Sequence, residues 1–368
     1  MLGLRCLFML LLMLSTVGCS LKKSTEVYTH LWQTWEAMDT LVQPDFPDAP
    51  PIILIHGWNG GEFTWPDPAS LSRLEQQLRR DIYLFTYRTG IVANRYPPIE
   101  ILEEKLDRFL GRYPTVDVVA HSMGGLLLRQ YLSHHPSDPV RRIVFLSTPH
   151  FGTHAARLLA GLGELQAEGN IQAQEIQPGS DFLWQLNAGE GEELQGHAVL
   201  NVYVAEHDWF RGDIVVDPAS AWLPWGVNIA VAGDHHLGRR LLELPRVLDF
   251  LRDGRLPATV APMPTEHKAW LRFVVGSEHL AIGFNDSHVQ HIDAQGHARD
   301  DFTVCCKARS GLYPLGGSTL VLEHVQPGDV YLFHPRRKGC PAEVRISGDA
   351  LRSPERPVVL KEWLLDAP

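Results

Sequence analysis

The chain has 368 residues, 45% of them hydrophobic, enough for one large α/β domain with a sizeable buried core and a smaller companion. A formal net charge of -10 leaves no broad cationic surface for a phosphate backbone and sets nucleic acid aside as a partner. Acidity by itself says nothing about the reaction.

The chain begins MLGLRCLFMLLLMLSTVGCS: one basic residue, Arg5, then an apolar run over about 7–14 that is too short to span a bilayer permanently. That is the build of an export signal. Its end, STVGCS, resembles the lipobox of bacterial lipoproteins, with Thr16 standing where an aliphatic residue is usual. The resemblance implies a signal over 1–19, lipidation at Cys19, and a membrane contact through acyl chains. With Ser20 next, it implies a place in the bacterial envelope at the outer membrane, facing periplasm or exterior. In that oxidising setting Cys305, Cys306 and Cys340 suggest one disulfide, Cys340 pairing with either of the other two, against the alternative of three buried thiols.

Residues 20–50, polar and ending in QPDFPDAPP, read as a linker. A regular alternation follows over 51–255. IILIHGW (52–58), DIYLFTYRT (81–89), VDVVA (116–120), RRIVFLSTP (141–149), LNVYVAE (200–206) and VNIAVAG (227–233) have strand character. Helices are expected over 99–110, where Ile99, Leu102, Leu106 and Phe109 fall at helical spacing, over 123–135, and from about 237 to 251. Apolar strands without a polar face, separated by helices, predict a mostly parallel sheet covered on both sides. The Gly-, Gln- and Glu-rich stretch 151–198 reads as a lid-like insertion. From 265 to 368 the texture changes to short β-type runs between Gly, Pro and Asp turns, predicting a smaller all-β domain, a sandwich of unknown role.

One strand runs straight into AHSMG (120–124) and then a helix. Such a turn leaves the Ser122 hydroxyl at the end of a sheet, beside the N–H groups of a fresh helix. A serine attacks an acyl carbon only if a histidine takes its proton, an acid orients that histidine and two donors receive the oxyanion. AHSMG resembles the nucleophile elbow of the α/β-hydrolase superfamily, of the bacterial lipase and esterase type, with Ala120 in the first glycine position. HGW (56–58) and TPHFGT (148–153) resemble other lipase stretches. The resemblance covers about 50–252. It implies oxyanion N–H groups at Trp58 and Met123, an acid at Asp213 from GDIVVDPASA, and a base at His236, which the HLG after it aligns with the family's GHxGLL. Asp208 and His235 are the reserve acid and base, and His150 reads as structural.

The reading is therefore an α/β-hydrolase fold carrying a serine ester hydrolase, a lipase or carboxylesterase that cleaves lipid carboxylic esters through an acyl-enzyme. Trp58, Phe63, Trp65, Phe151, Leu158, Leu159, Trp184, Trp209, Phe210, Trp222 and Trp225 suit an apolar mouth, about half of them being expected in the core. Phospholipase and acyltransferase chemistry use the same three residues. The alternative class is a lipid-anchored, non-catalytic scaffold or binding lipoprotein. No cofactor or metal motif occurs in the chain. Expected partners are the ester substrate, the membrane through the lipid anchor, and an unidentified protein or glycan for the β domain.

Overall fold

The computed structural model describes residues 44–87, 89, 97–155, 171–207, 210–211, 213, 215–275, 280–281, 288–299, 302–305, 308–310, 313–315, 319–334 and 343–365. Cys19, Leu158, Leu159, Asp208, Trp209, Cys306 and Cys340 lie outside them, and Cys305 is described only in its backbone.

The first half is a parallel sheet built from β1 (Ile52–Ile55), β2 (Ile82–Phe85), β3 (Val116–His121), β4 (Val140–Leu146), β5 (Ala198–His207) and β7 (Val227–Ala232). Its order is β2-β1-β3-β4-β5-β7, and a two-residue strand β6 (Phe210–Arg211) folds back antiparallel on the end of β5. Four helices cover it: α1 (Pro68–Leu78), α2 (Ile99–Leu110), α3 (Met123–His134) and, at the end, α7 (Pro245–Asp253). One face packs Ile53, Ile55, Val118, Ala120 and Phe145 against α2 and α3. The other packs Ile52, Leu54, Val119, Val144 and Leu200 against Leu71, Leu74 and Leu78 of α1 and Val247 and Phe250 of α7. Consecutive residues of β1 thus enter different cores, which is why IILI shows no polar alternation.

The stretch between β4 and β5 carries two short helices, α4 (Ile171–Glu175) and α5 (Asp181–Ala188); α6 (Pro218–Ala221) follows β6. The helix expected from about 237 starts only at Pro245, after a 3₁₀ turn at Leu241–Glu243. Proline lacks the N–H that a helix interior needs but fits its first position, so Pro245 opens the helix.

The second half is all β. One sheet has the order β12-β15-β8-β18 with β9 beside β8, formed by β8 (Lys268–Val275), β9 (Leu280–Ala281), β12 (Phe302–Cys305), β15 (Thr319–Leu322) and β18 (Val358–Leu365). The other has the order β11-β10-β16-β17, from β10 (His288–Ile292), β11 (Ala298–Arg299), β16 (Val330–His334) and β17 (Val344–Ser347). A small hairpin joins β13 (Ala308–Ser310) to β14 (Tyr313–Leu315). The two sheets face one another, Phe273 stacking on Phe333 at 4.0 Å. The pairing of β18 with β8 is parallel. The first of these sheets is buried on both faces: Leu271, Phe273 and Leu320 enter the sandwich, while Trp270, Val321 and Val358 join the core of the α/β half.

Candidate active site

The end of β3 sets the geometry. Ser122 follows it at φ 54, ψ -128, a left-handed backbone uncommon for a residue with a side chain, and serves as N-cap of α3 without making a side-chain cap bond. Its own N–H is taken by the Leu146 carbonyl at 2.9 Å, so β4 holds the turn in place. Three glycines allow close approach here. A Cβ on Gly57 would lie 2.5 Å from the Ser122 Cβ; one on Gly124 would strike the His56 and Ile55 carbonyls, and one on Gly125 would strike Thr148. Met123 is the first residue of α3, and the first N–H groups of a helix have no intrahelical acceptor, so they present donors at the serine.

The turn after β1 is pinned through His56. Its Nδ1–H donates to the Gly57 carbonyl at 2.9 Å, while its Nε2 accepts the Tyr87 N–H at 3.2 Å. The ring stacks on Tyr87 at 4.2 Å, and the Tyr87 hydroxyl donates to the His56 carbonyl at 2.5 Å. Burial pulls the His56 imidazole down to about 4, so it stays neutral at working pH. The Gly57 carbonyl and the Trp58 N–H belong to one trans peptide and point in opposite directions, so fixing the former aims the latter.

Two side chains line up behind the Ser122 hydroxyl. Asp213 is buried after β6, its Oδ1 accepting the N–H groups of Val215 at 3.0 Å and Val216 at 2.6 Å. Its Oδ2 lies 2.6 Å from Nδ1 of His235, and Nε2 of His235 lies 2.9 Å from Ser122 Oγ. Burial pushes the Asp213 carboxyl up, but the His235 imidazole and the Val216 N–H outweigh it and leave the group below its ordinary range. A carboxylate on Nδ1 puts the ring proton there and leaves Nε2 bare to accept from the serine.

The base expected from the sequence requires a correction. His236 does not reach Ser122; its side chain is half exposed, with Nδ1 3.6 Å from Asp234 and its N–H held by the same carboxylate at 2.9 Å. It is His235 whose ring lies within reach of Ser122, and its backbone is held from below, where His121 Nε2–H donates to the His235 carbonyl at 2.6 Å. Burial, and then the nearby His235, hold His121 at about 3, neutral and a donor at that nitrogen. The HLG alignment points to His236, whereas the loop is held at His235 by a bond spanning 114 positions. His150 is fully buried, its Nε2 3.2 Å from Asn201 Oδ1, inside the core away from these three. Of the aromatics assigned to a mouth, Trp65, Phe151 and Trp184 are buried in the core, while Trp58 is partly buried beside it. Among the described residues no group of His, Cys, Asp and Glu forms a metal site.

Residues 100–226 match the family described as α/β hydrolase fold. By sequence, no curated protein matches the chain. Among solved structures, the phospholipase PlaB from Legionella pneumophila in complex with thio-NAD superposes with a TM-score of 0.58 at 12% identity, covering 87% of this chain and 94% of that one. A second structure of that phospholipase gives 0.54 at 14% identity, covering 86% and 93%. The fold is the α/β-hydrolase fold. At such identities the likeness extends to architecture alone, and it includes the β half as well as the parallel sheet.

Proposed function

We propose that the chain is a serine ester hydrolase that cleaves carboxylic esters of lipids. The observation that carries this reading is His235, whose two ring nitrogens lie within hydrogen-bond reach of Asp213 and Ser122. In the proposed cycle Nε2 of His235 takes the hydroxyl proton as Ser122 Oγ bonds to the acyl carbon. The carbonyl oxygen gains the charge, and the N–H groups of Trp58 and Met123 receive it. The protonated imidazole then gives its proton to the leaving alkoxide as the C–O bond breaks, and the acyl group stays on Ser122. Water, deprotonated by the same nitrogen, then attacks the acyl carbon, and the imidazolium returns its proton to Ser122 Oγ as the acid leaves. Asp213 holds the tautomer and stabilises the imidazolium throughout.

A lipid acyl substrate is supported by the partly buried Trp58 on the turn whose Gly57 abuts the serine, by the lipoprotein-like start of the chain, and by a phospholipase sharing both halves of the architecture. The same reading places the mature protein on the bacterial outer membrane through acyl chains at Cys19; loss of membrane association in Cys19→Ala tests that part. Hydrolysis of p-nitrophenyl esters, and of phospholipid and acylglycerol vesicles, tests the rest. Ser122→Ala is expected to lower kcat about 10⁴-fold or more, and a fluorophosphonate is expected to label the wild-type serine. Undiminished turnover in Ser122→Ala would remove the proposal, and an unlabelled, inactive wild type would favour the scaffold alternative.

A further inference from the structure

We propose that Gln172, carried on α4 between β4 and β5, is a positioning residue for the oxyanion turn. This inference rests on the hydrolase reading above. The Asn59 N–H donates to Thr89 Oγ1 at 3.2 Å, the Thr89 hydroxyl donates to Gln172 Oε1 at 2.8 Å, and Gln172 Nε2 donates to the Pro97 carbonyl at 2.8 Å. The direction of the chain follows from its ends, because a backbone N–H can only donate and a carbonyl can only accept. The amide orientation of Gln172 is thereby determined. Gln172 and Thr89 are both buried, so the chain of hydrogen bonds runs away from water.

What the chain holds is the peptide after Trp58. Asn59 sits at φ 53, a left-handed conformation that asparagine adopts more readily than other residues with a side chain, and its N–H is aimed at Thr89 from there. The peptide before Trp58 is fixed independently, since the Gly57 carbonyl accepts both His56 Nδ1–H at 2.9 Å and the Gly60 N–H at 3.0 Å. Both peptides flanking the oxyanion donor are thus tied down, one by His56 and one by Thr89 with Gln172. The second tie comes from a segment that lies outside the alternating sheet. α4 is itself held, Glu175 accepting the Ile99 N–H at the start of α2 at 3.0 Å and the Ile176 carbonyl accepting the Thr153 N–H at 2.9 Å. The α4 segment is therefore linked through hydrogen bonds to the turn that carries Trp58.

Loosening the turn should weaken a donor whose full loss costs about 10²–10³ in kcat. Gln172→Met and Thr89→Val are each expected to lower kcat about tenfold with KM within about twofold, and to weaken an aryl boronic acid, whose adduct carries the tetrahedral oxyanion, by the same factor. Thr89→Ser, which keeps the hydroxyl, should restore most of the rate. The double variant Gln172→Met with Thr89→Val should be no worse than either single one, because one chain is cut twice. Wild-type kcat in folded Gln172→Met and Thr89→Val, a loss confined to KM, or additive losses would each overturn the proposal. Should Gln172→Met not fold, the Thr89→Val and Thr89→Ser pair decides. Active wild type with unaffected variants defeats this inference alone, whereas a wild type that neither hydrolyses esters nor takes a fluorophosphonate defeats the reading beneath it as well.

Discussion

At position 235 rather than 236 an imidazole meets the serine, and the difference is one of backbone direction. The carbonyl of His235 is taken by His121, and the N–H of His236 is taken by Asp234. His235→Ala is expected to lower kcat about 10⁴-fold or more, while His236→Ala stays within about threefold of wild type; steady-state turnover of a p-nitrophenyl ester separates them. Gly57 gives a second prediction at this scale. Its absent Cβ would sit 2.5 Å from that of Ser122, so Gly57→Ala must shift either the serine or the turn bearing Trp58. A loss of about 10²-fold in kcat with the fold retained by circular dichroism is expected, since displacements near 1 Å at a reacting centre cost that much.

Among the elements, α4 shows how a short helix can matter to its neighbours. Its Glu175 carboxylate caps the start of α2 at the Ile99 N–H, and burial pushes that carboxyl up to about 7 from an ordinary value near 4.5. A raised folded pKa means the native state holds the proton more tightly than the unfolded chain, so stability is greatest below about pH 4.5 and declines as pH rises through about 7. The full cost above that window is on the order of 3 kcal/mol. Glu175→Gln, which keeps an acceptor for Ile99, should match wild type at pH 5 and melt at a higher temperature at pH 8. Equal melting temperatures at both pH values would contradict this. The parallel strands themselves were legible in the sequence because burial on both faces favours near-continuous apolar runs, as in IILI. The late start of α7 was not, because its apolar period continues back through a 3₁₀ turn that only packing distinguishes.

For the molecule as a whole, the β half is built into the α/β half rather than appended to it. Trp270 and Val358 share a core with α3 and β3, and beside them the buried Lys268 ammonium meets Glu323 at 2.7 Å and Asp217 at 3.1 Å. Burial works against the Lys268 charge, but Asp217, Glu323 and Glu266 outweigh it and raise its pKa. Asp217 caps α6 four residues after Asp213, and Glu323 also meets His154 at 2.7 Å, so this cluster ties the β sheet to the loop that carries the acid. Lys268→Met strands those carboxylates and is expected to destabilise the fold by about 3–5 kcal/mol, read from a shift in the urea midpoint at unchanged slope. A midpoint shift under about 1 kcal/mol would show that the cluster is not the tie it resembles.

The sequence by itself determined the parallel sheet, the sharp turn at Ser122 and the β character of the last hundred residues, because each rests on local backbone preferences and on apolar patterning within one element. Tertiary structure decided which of two adjacent histidines faces the serine, how the turn bearing Trp58 is held and that one β sheet is buried on both sides. Those depend on hydrogen bonds and packing between residues tens to hundreds of positions apart, and no local pattern encodes the partner at the far end.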